Sequence, residues 1–213
     1  MKALLGKYQL LNRQTGELEW AELFLGIDGS NLAAFEREWR PAFLSVHKAS
    51  LSSAGSSPAR AEDARWDWSR IAQTRMNPLL YQMFAVECAG TTQGLMLVRK
   101  GGKFSRHPDH ERADIIYVEC VATAPWNRPS LVKEDAKYKG VGQLLLGTAV
   151  SYSVAEELNG RIGLHSLPGA ETFYRDVLGM TDFGPDSDYQ SFCYFEFSET
   201  QLATFFSTNS QGG

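Results

Sequence analysis

The sequence predicts an α/β (α+β) fold in which an antiparallel meander is followed by a helix and further strands. Three short apolar runs, at 81–87, 94–99 and 114–122, are bounded by glycine, proline and charged residues, as in a meander. A glycine-rich turn at 137–142 then leads into a long helical pattern. The run at 191–197 alternates its side chains with the period of a strand.

The segments around this meander predict a hairpin, two helices and a helix–strand–helix run. Turn residues join the hairpin strands, and Gly16 among them can adopt a positive φ. Asp28 offers an N-cap for the first helix, which Pro41 should kink or split. The predicted ranges are 8–11 and 18–25 for the hairpin, 31–48, 62–76, 141–158 and 169–178 for helices, and 161–166 for a strand. Residues 49–60 should form a loop and 207–213 a disordered tail.

Composition sets limits on the class of protein. A chain of 213 residues indicates one domain, here 1–206. The formal net charge of −4 and the absence of a basic run argue against nucleic acid as a partner. Its three cysteines are scattered, which indicates no zinc site and suits a reducing cytoplasm. No stretch has the length of a membrane span and no signal peptide is evident, so we expect a cytoplasmic protein.

The glycine turn has the parts of an anion site. Lys137, Tyr138 and Lys139 precede Gly140, Val141 and Gly142, where the helix begins. The first turn of a helix carries N–H groups without intrahelical acceptors and the positive end of the dipole. Glycines let a phosphate approach the backbone. The same residues also suit a plain cap or tight turn, and they match neither a Walker loop nor the dinucleotide pattern.

Two segments resemble the GNAT superfamily of N-acetyltransferases. KYKGVGQLLLGTAV is similar to the family's acyl-CoA loop and following helix, written Q/R-x-x-G-x-G/A, with Lys137 in place of the usual Gln or Arg. GLHSLPGAETFYRDVLGM is similar to its next strand and helix, and Ala170, Phe173 and Tyr174 match that pattern. The resemblance is specific over 81–197, whereas 1–80 match only as a strand followed by two helices.

The resemblance implies the GNAT fold, a mixed and mostly antiparallel central sheet that is splayed in the middle and flanked by helices. Acetyl-CoA, as cosubstrate, would enter the splay and donate its acetyl group to an amine in a ternary complex. The backbone of Val121, Ala122 and Thr123 would bind the pantetheine arm as an added strand. The amides from Tyr138 to Gly142 and that of Gln143, beside Lys137 and Lys139, would bind the pyrophosphate. No metal is implied.

Amine acetylation needs a base for the acceptor and an acid for the departing thiolate. The family's pattern makes Tyr174 the candidate acid. Glu119, an acidic residue inside an apolar strand, is the candidate base, and the reading of it as a solvated residue stays open. His165 is either a second base or a hydrogen-bonded structural histidine. His107 and His110 lie in a polar stretch that indicates a loop. Trp126 and Arg128 are candidates for shaping the acceptor pocket.

Two other interpretations stay open. FYRDVLGM also resembles the first helix of glyoxalase-type metal enzymes, although no histidine follows His165 to complete such a site. Lys137 and Leu167 depart from the GNAT pattern, which leaves room for a non-catalytic CoA-binding or interaction module. About ten extra residues at 126–135 lengthen a loop or cover the substrate. We expect an amine acceptor, small molecule or protein, with no membrane partner, and a homodimer stays open.

Overall fold

The structure is a computed structural model that describes residues 2–52, 61–131 and 136–209. Most of the predicted loop at 49–60, part of the insertion at 126–135 and the last four residues of the predicted tail therefore lie outside the described residues. Residues 49–52 belong to a helix, which is a correction to the start of that loop. Within the described ranges, no helix has the length and apolar character needed to cross a membrane.

Within the described residues, nine strands form one mixed, mostly antiparallel sheet, in the order β6-β1-β2-β3-β4-β5-β7-β9-β8. Fold class and the predicted order of meander, glycine turn, helix and strand are confirmed. The strands are β1 (Ala3–Asn12), β2 (Leu18–Leu25), β3 (Tyr81–Cys88), β4 (Thr91–Phe104), β5 (Asp114–Thr123), β6 (Tyr138–Lys139), β7 (Ile162–Ser166), β8 (Thr181–Asp186) and β9 (Phe192–Glu196). The α-helices are α1 (Gly29–Ala34), α2 (Arg40–Ser52), α3 (Trp68–Thr74), α4 (Val141–Ala155) and α5 (Glu199–Asn209).

The chain divides into two compact units. The first comprises Met1–Pro78, Gln82–Met96 and Val121–Leu145. The second comprises Leu79–Tyr81, Leu97–Cys120 and Leu146–Gly213. One domain over 1–206 stays a prediction.

The hairpin and the first helix form for the reasons that the sequence gives. Gly16 in the β1–β2 turn has a φ of +76°, a region that glycine tolerates best. Asp28 caps α1, because its side chain accepts hydrogen bonds from the amides of Ser30 and Asn31. Pro41 does not split the helix: a π-helical turn at Phe35–Trp39 joins α1 to α2, and Pro41 is the second residue of α2. The π turn fits the missing N–H of proline, which removes one helical hydrogen bond.

Several predicted boundaries are wrong. The helix expected at 62–76 is a 3-10 turn at Glu62–Arg65 followed by the shorter α3. The strand predicted at 94–99 extends over Thr91–Phe104, so that the bounding Gly101 and Gly102 lie inside β4, with φ values of +80° and +68°. Helix α4 ends at Ala155 rather than 158. The helix α5 extends to Asn209 and so includes the first residues of the segment predicted to be disordered.

Helix α4 packs on the sheet of the first unit at a point where a side chain would not fit. A Cβ on Gly94 of β4 would lie 2.8 Å from the side chains of both Val141 and Leu145. These two side chains are almost completely buried, at 2% and 0% exposure. The close approach of α4 to β4 therefore depends on glycine, and it fixes the helix end that the glycine turn precedes.

The sheet opens between β5 and β7 in the second unit. The two strands pair in parallel through Ile116↔Ile162, Tyr117↔Gly163 and Val118↔Leu164. Among the described residues their register ends there, although both strands continue beyond it, and His165 pairs with Tyr194 of β9 instead. The expected splay in the middle of the sheet is therefore confirmed. Opposite Tyr117, a Cβ on Gly163 would collide with the hydroxyl of Tyr194.

Candidate functional site

In the first unit, the glycine turn presents the N-terminus of α4. Gly140 has a φ of +98°, which favours glycine over any residue with a side chain. The first hydrogen bond of the helix joins the N–H of Leu144 to the carbonyl of Gly140, at 2.8 Å. The N–H groups of Val141, Gly142 and Gln143 therefore precede the helical ladder and have no acceptor within the helix. They are the amides that an anion would bind.

The amides just before the turn are used by the protein itself. The N–H of Tyr138 donates to Oδ1 of Asn127 at 3.0 Å. The N–H of Lys137 donates to the carbonyl of Trp126 at 2.8 Å. The expectation that the Tyr138 amide binds a pyrophosphate is corrected, because its hydrogen bond lies within the chain. The Lys137 ammonium lies 5.0 Å above the ring of Tyr138, and Lys139 is exposed.

A half-buried carboxylate, that of Glu19, holds the glycine turn to the hairpin. The Tyr138 side chain, 1% exposed, donates its hydroxyl hydrogen bond to Glu19 of β2 at 2.6 Å. Asn12 of β1 donates to the same carboxylate at 2.6 Å. The hydrogen bond from Tyr138, followed by that from Asn12, lowers the pKa of Glu19. An ionised Glu19 therefore fixes Tyr138 beneath the turn.

A second network of hydrogen bonds, centred on Gln93, also holds the glycine turn in place. Gln93 of β4 is fully buried, and its Oε1 accepts from Nε1 of Trp126 at 2.9 Å and from Nδ2 of Asn127 at 3.0 Å. The amide of Asn127 thereby joins Gln93 to the backbone of Tyr138. The indole N–H of Trp126, a residue expected to shape the acceptor pocket, is committed to this network instead.

Arg128 fixes the end of β5, where the pantetheine arm is expected. Its guanidinium donates to the carbonyl of Thr123 at 2.9 and 2.6 Å. It also makes a two-pronged ion pair with Asp63, at 2.7 and 2.5 Å. Asp63 is 5% exposed, so both its charge and that of Arg128 are largely withdrawn from water. Of the expected backbone contacts, Ala122 is buried and Val121 half-buried.

Replacing Asn127 by alanine should lower the free energy of unfolding by about 1–3 kcal/mol, because the Tyr138 amide loses its acceptor and Gln93 loses a donor. Urea denaturation measures this loss. A matched control is Thr15→Ala, since Thr15 also accepts a hydrogen bond from a backbone N–H, at 3.2 Å, but in an exposed turn. In Thr15→Ala, water can take the place of the lost acceptor, and we expect the free energy of unfolding to change by less than about 0.5 kcal/mol. Equal losses in the two variants would contradict the role of Asn127.

In the second unit, Tyr174 lies in a π-helical turn at Phe173–Val177 and is 5% exposed. Its ring packs against Phe195 at 5.6 Å and against Phe173 at 5.4 Å between centroids. Its carbonyl accepts from the N–H of Met180 at 2.9 Å. These contacts fix the ring and leave the role of the hydroxyl as a prediction.

Glu119 is half-buried on β5, two residues after Tyr117. Side chains two apart on a strand point to the same face of a sheet. Burial raises the pKa of Tyr117, and the neighbouring Tyr189 and Glu119 raise it further. Glu119 as a base stays a prediction.

His165 of β7 is hydrogen bonded at both ring nitrogens. Nδ1 lies 2.8 Å from the hydroxyl of Tyr117, and Nε2 lies 2.9 Å from Oδ2 of Asp186. Burial lowers the pKa of His165, against the opposing effect of Asp186. Hydrogen bonds from Arg106 and then from His165 lower the pKa of Asp186 to about 2. The geometry fits both interpretations of this histidine, as a structural residue and as a base.

The polar stretch that contains His107 and His110 is tied to the core by a fully buried carboxylate. Ser105 Oγ donates to Glu196 at 2.5 Å and lies 2.6 Å from Nδ1 of His110. Glu196 also accepts from the hydroxyl of Tyr194 at 2.6 Å. Nε2 of His110 lies 3.2 Å from the carbonyl of Phe197. The stretch is therefore a turn between strands, as expected, but His107 is buried rather than solvated, because the network draws it towards the core.

Sequence reasoning missed several residues that these sites use, among them Glu19, the partner of Tyr138, and Tyr117, the partner of His165. Glu19 and Tyr138 are separated by 119 positions, and Tyr117 and His165 by 48. A local motif carries no signal for such pairs. A buried polar residue in an apolar strand, such as Gln93, is the one signal that would have found a network.

Comparison with known proteins supports the fold. No family model and no curated protein matches the chain. A candidate acetyltransferase of the GNAT family from Desulfovibrio desulfuricans has a similar structure, with a TM-score of 0.50 and 10% identity, over 83% of this chain and 96% of that one. The PaiA N-acetyltransferase from Thermoplasma acidophilum, solved with coenzyme A, has a TM-score of 0.49 and 9% identity, over 83% of this chain and 98% of that one. The chain therefore has the fold of the GNAT acetyltransferases.

Proposed function

We propose that this protein is an N-acetyltransferase that moves the acetyl group of acetyl-CoA to an amine within a ternary complex. One observation carries the proposal. The amides of Val141, Gly142 and Gln143 precede the first hydrogen bond of α4 and follow a glycine at a φ of +98°. A diphosphate is the group whose charge and acceptors fit three such amides.

The residues of the first unit fit acetyl-CoA in two further respects. Lys139 is exposed beside the turn and adds a positive charge for the phosphates. The end of β5 is held in place by Arg128, so the backbone available to the pantetheine arm is ordered before binding. Because the Thr123 carbonyl is already an acceptor for Arg128, we assign the pantetheine contacts chiefly to the backbone of Val121 and Ala122.

The chemistry needs a neutral amine. A lysine-like ammonium has a pKa of about 10.4, so the neutral form costs roughly 4–5 kcal/mol at pH 7. The amine nitrogen then attacks the thioester carbonyl, a C–N bond forms and the C–S bond breaks. We assign protonation of the departing thiolate to the Tyr174 hydroxyl. Glu119 and His165, both in the second unit, are the two candidates for taking the proton of the acceptor.

The acceptor in this proposal is a small molecule or a protein amine, and the reaction takes place in the cytoplasm. The acidic balance of the chain, with a net charge of −4, is compatible with a cationic acceptor. A non-catalytic module that binds CoA is the competing function. Lys137 favours this module, because it replaces the family's usual Gln or Arg and its ammonium lies over the ring of Tyr138.

Thermal unfolding with and without acetyl-CoA tests the proposal. A ligand that binds only the native state adds about 2.7 kcal/mol to the free energy of unfolding at a hundredfold excess over its Kd, and so raises the melting temperature. We expect a rise with acetyl-CoA, together with release of free CoA thiol in the presence of primary amines. A rise without turnover on any amine supports the module. No rise at millimolar acetyl-CoA refutes both functions.

A further inference from the structure

A chain of hydrogen bonds links Tyr117, His165 and Asp186 inside the second unit. The hydroxyl of Tyr117 lies 2.8 Å from Nδ1 of His165, and Nε2 of the same ring lies 2.9 Å from Asp186. The side chain of His165 is only 4% exposed, and that of Asp186 9%. Three titratable side chains from three strands are thus hydrogen bonded in a row with little exposure to water.

The direction of these hydrogen bonds follows from Asp186. Arg106 donates to its carboxylate at 2.5 Å, and the pKa of about 2 keeps Asp186 ionised at neutral pH. An ionised carboxylate only accepts, so the proton of a neutral His165 must lie on Nε2. Nδ1 then carries a lone pair and accepts from the Tyr117 hydroxyl. The imidazole is therefore held as an acceptor towards Tyr117.

The groups around these three side chains come from several elements. His165 stacks on Tyr189 at 3.9 Å and an interplanar angle of 9°. Positive charges on Arg106 and Lys103 oppose protonation of the ring, whereas Asp186 favours it. The other titratable and charged groups facing these three side chains are Lys103, Arg106, Glu119, Cys120, Tyr189 and Tyr194.

An alkylammonium already reaches Tyr117 in this structure. The Nζ atom of Lys103 lies 4.8 Å from the ring centroid of Tyr117 and 4.6 Å from that of Tyr189. It also donates to the Tyr189 hydroxyl. Lys103 is half-buried. Two aromatic faces that hold a lysine ammonium suit the ammonium of an acceptor equally well.

We propose that Tyr117, His165 and Asp186 form the proton relay that deprotonates the acceptor ammonium, with Tyr117 as the group that meets the amine. The inference rests on the proposed acetyl transfer. The ammonium gives a proton to the Tyr117 oxygen while the Tyr117 proton passes to Nδ1 of His165. The amine becomes neutral, the imidazole becomes imidazolium, and Asp186 balances its charge. The proton leaves to solvent after transfer, and the protonation state of Tyr117 is unchanged throughout.

The relay has a chemical advantage over Glu119 as the base. An imidazole is intrinsically a stronger base than a carboxylate, so it accepts a proton from an ammonium with less penalty. Burial lowers the pKa of His165 but Asp186 offsets part of that effect. In this arrangement the role of Glu119, on the same face as Tyr117, is to attract the ammonium.

The test is the pH dependence of kcat/KM, from pH 5 to 10, with the primary amine that wild type turns over fastest. We expect His165→Gln and Tyr117→Phe to lower the rate at pH 7 by about 10²-fold and to lose the acidic limb of the profile. Asp186→Asn should shift that limb to lower pH, because the imidazolium loses its counter-charge. Glu119→Gln should keep the limb.

His110→Gln is the matched control. His110 also has both ring nitrogens in hydrogen-bond contact, with Ser105 and Phe197, but it belongs to the loop network. It should keep the acidic limb. The relay is overturned if His165→Gln retains the limb, or if Glu119→Gln removes it. Wild type without turnover on any amine would instead overturn the proposed function, and the relay with it.

A measurement without turnover tests the same arrangement. The chain has four histidines, so long-range ¹H–¹⁵N spectra resolve each ring, and His165→Gln assigns the relay residue. We expect neutral His165 with its proton on Nε2 at pH 7, and the same state in Tyr117→Phe. A proton on Nδ1, or an imidazolium at pH 7, would contradict the direction of the relay.

Discussion

Gly142→Asp is expected to weaken acetyl-CoA binding by at least about tenfold, a loss of about 1.4 kcal/mol or more. The amide of Gly142 is one of the three that precede the first hydrogen bond of α4. An aspartate there places a carboxylate next to the proposed diphosphate and adds a side chain where the phosphate approaches the backbone. Titration calorimetry with acetyl-CoA measures the effect.

Gly29→Asp is the matched control for that variant. Gly29 is the first residue of α1, is exposed, and a Cβ there meets no atom within 4 Å. A carboxylate in the first turn of a helix is normally neutral or stabilising, so neither variant should lose fold stability through its charge. Acetyl-CoA binding should be unchanged in Gly29→Asp. Unchanged binding in Gly142→Asp would place the diphosphate elsewhere.

Tyr174→Phe is expected to lower kcat by about 10²-fold while leaving KM for acetyl-CoA within a factor of about two. The substitution removes the hydroxyl and keeps the ring that packs on Phe195. A group that acts only as the thiolate leaves affects the transition state and not ground-state binding. Steady-state assay of thiol release gives both constants.

Tyr8→Phe controls for the loss of a tyrosine hydroxyl in general. Tyr8 is 43% exposed on β1, so its hydroxyl can be replaced by water without consequence for the core. Wild-type kcat in Tyr174→Phe would remove Tyr174 from the mechanism. A parallel rise in KM and fall in melting temperature would indicate packing as its role instead.

Local patterns were enough to predict most of the fold. Period-two alternation and turn residues locate β3, β5 and β9, and the glycine turn locates the start of α4 at Val141. Strand β8 was missed because Gly184 and Pro185 interrupt it, and its register with β9 shifts between Asp182 and Pro185. Pairing with a neighbour makes this segment a strand, against its local propensity.

The candidate site was predictable only where its chemistry is local. Gly140 and the amides that follow it are encoded in consecutive residues, and the structure presents them at a helix N-terminus. The partners that fix the turn are not local: Glu19 bonds Tyr138 across 119 positions. The Asn127 side chain takes an amide that the motif alone assigned to the ligand. Only packing decides such competition between a ligand and the chain's own acceptors.

The central claim is that the first amides of α4 bind the diphosphate of acetyl-CoA. A ¹H–¹⁵N titration of the labelled protein with acetyl-CoA tests it most directly, with S-acetylpantetheine, which lacks the diphosphate, as the comparison. We predict large shifts for the amides of Val141, Gly142 and Gln143 with acetyl-CoA and little change at these three with S-acetylpantetheine. Unmoved resonances for these amides at millimolar acetyl-CoA would contradict the claim.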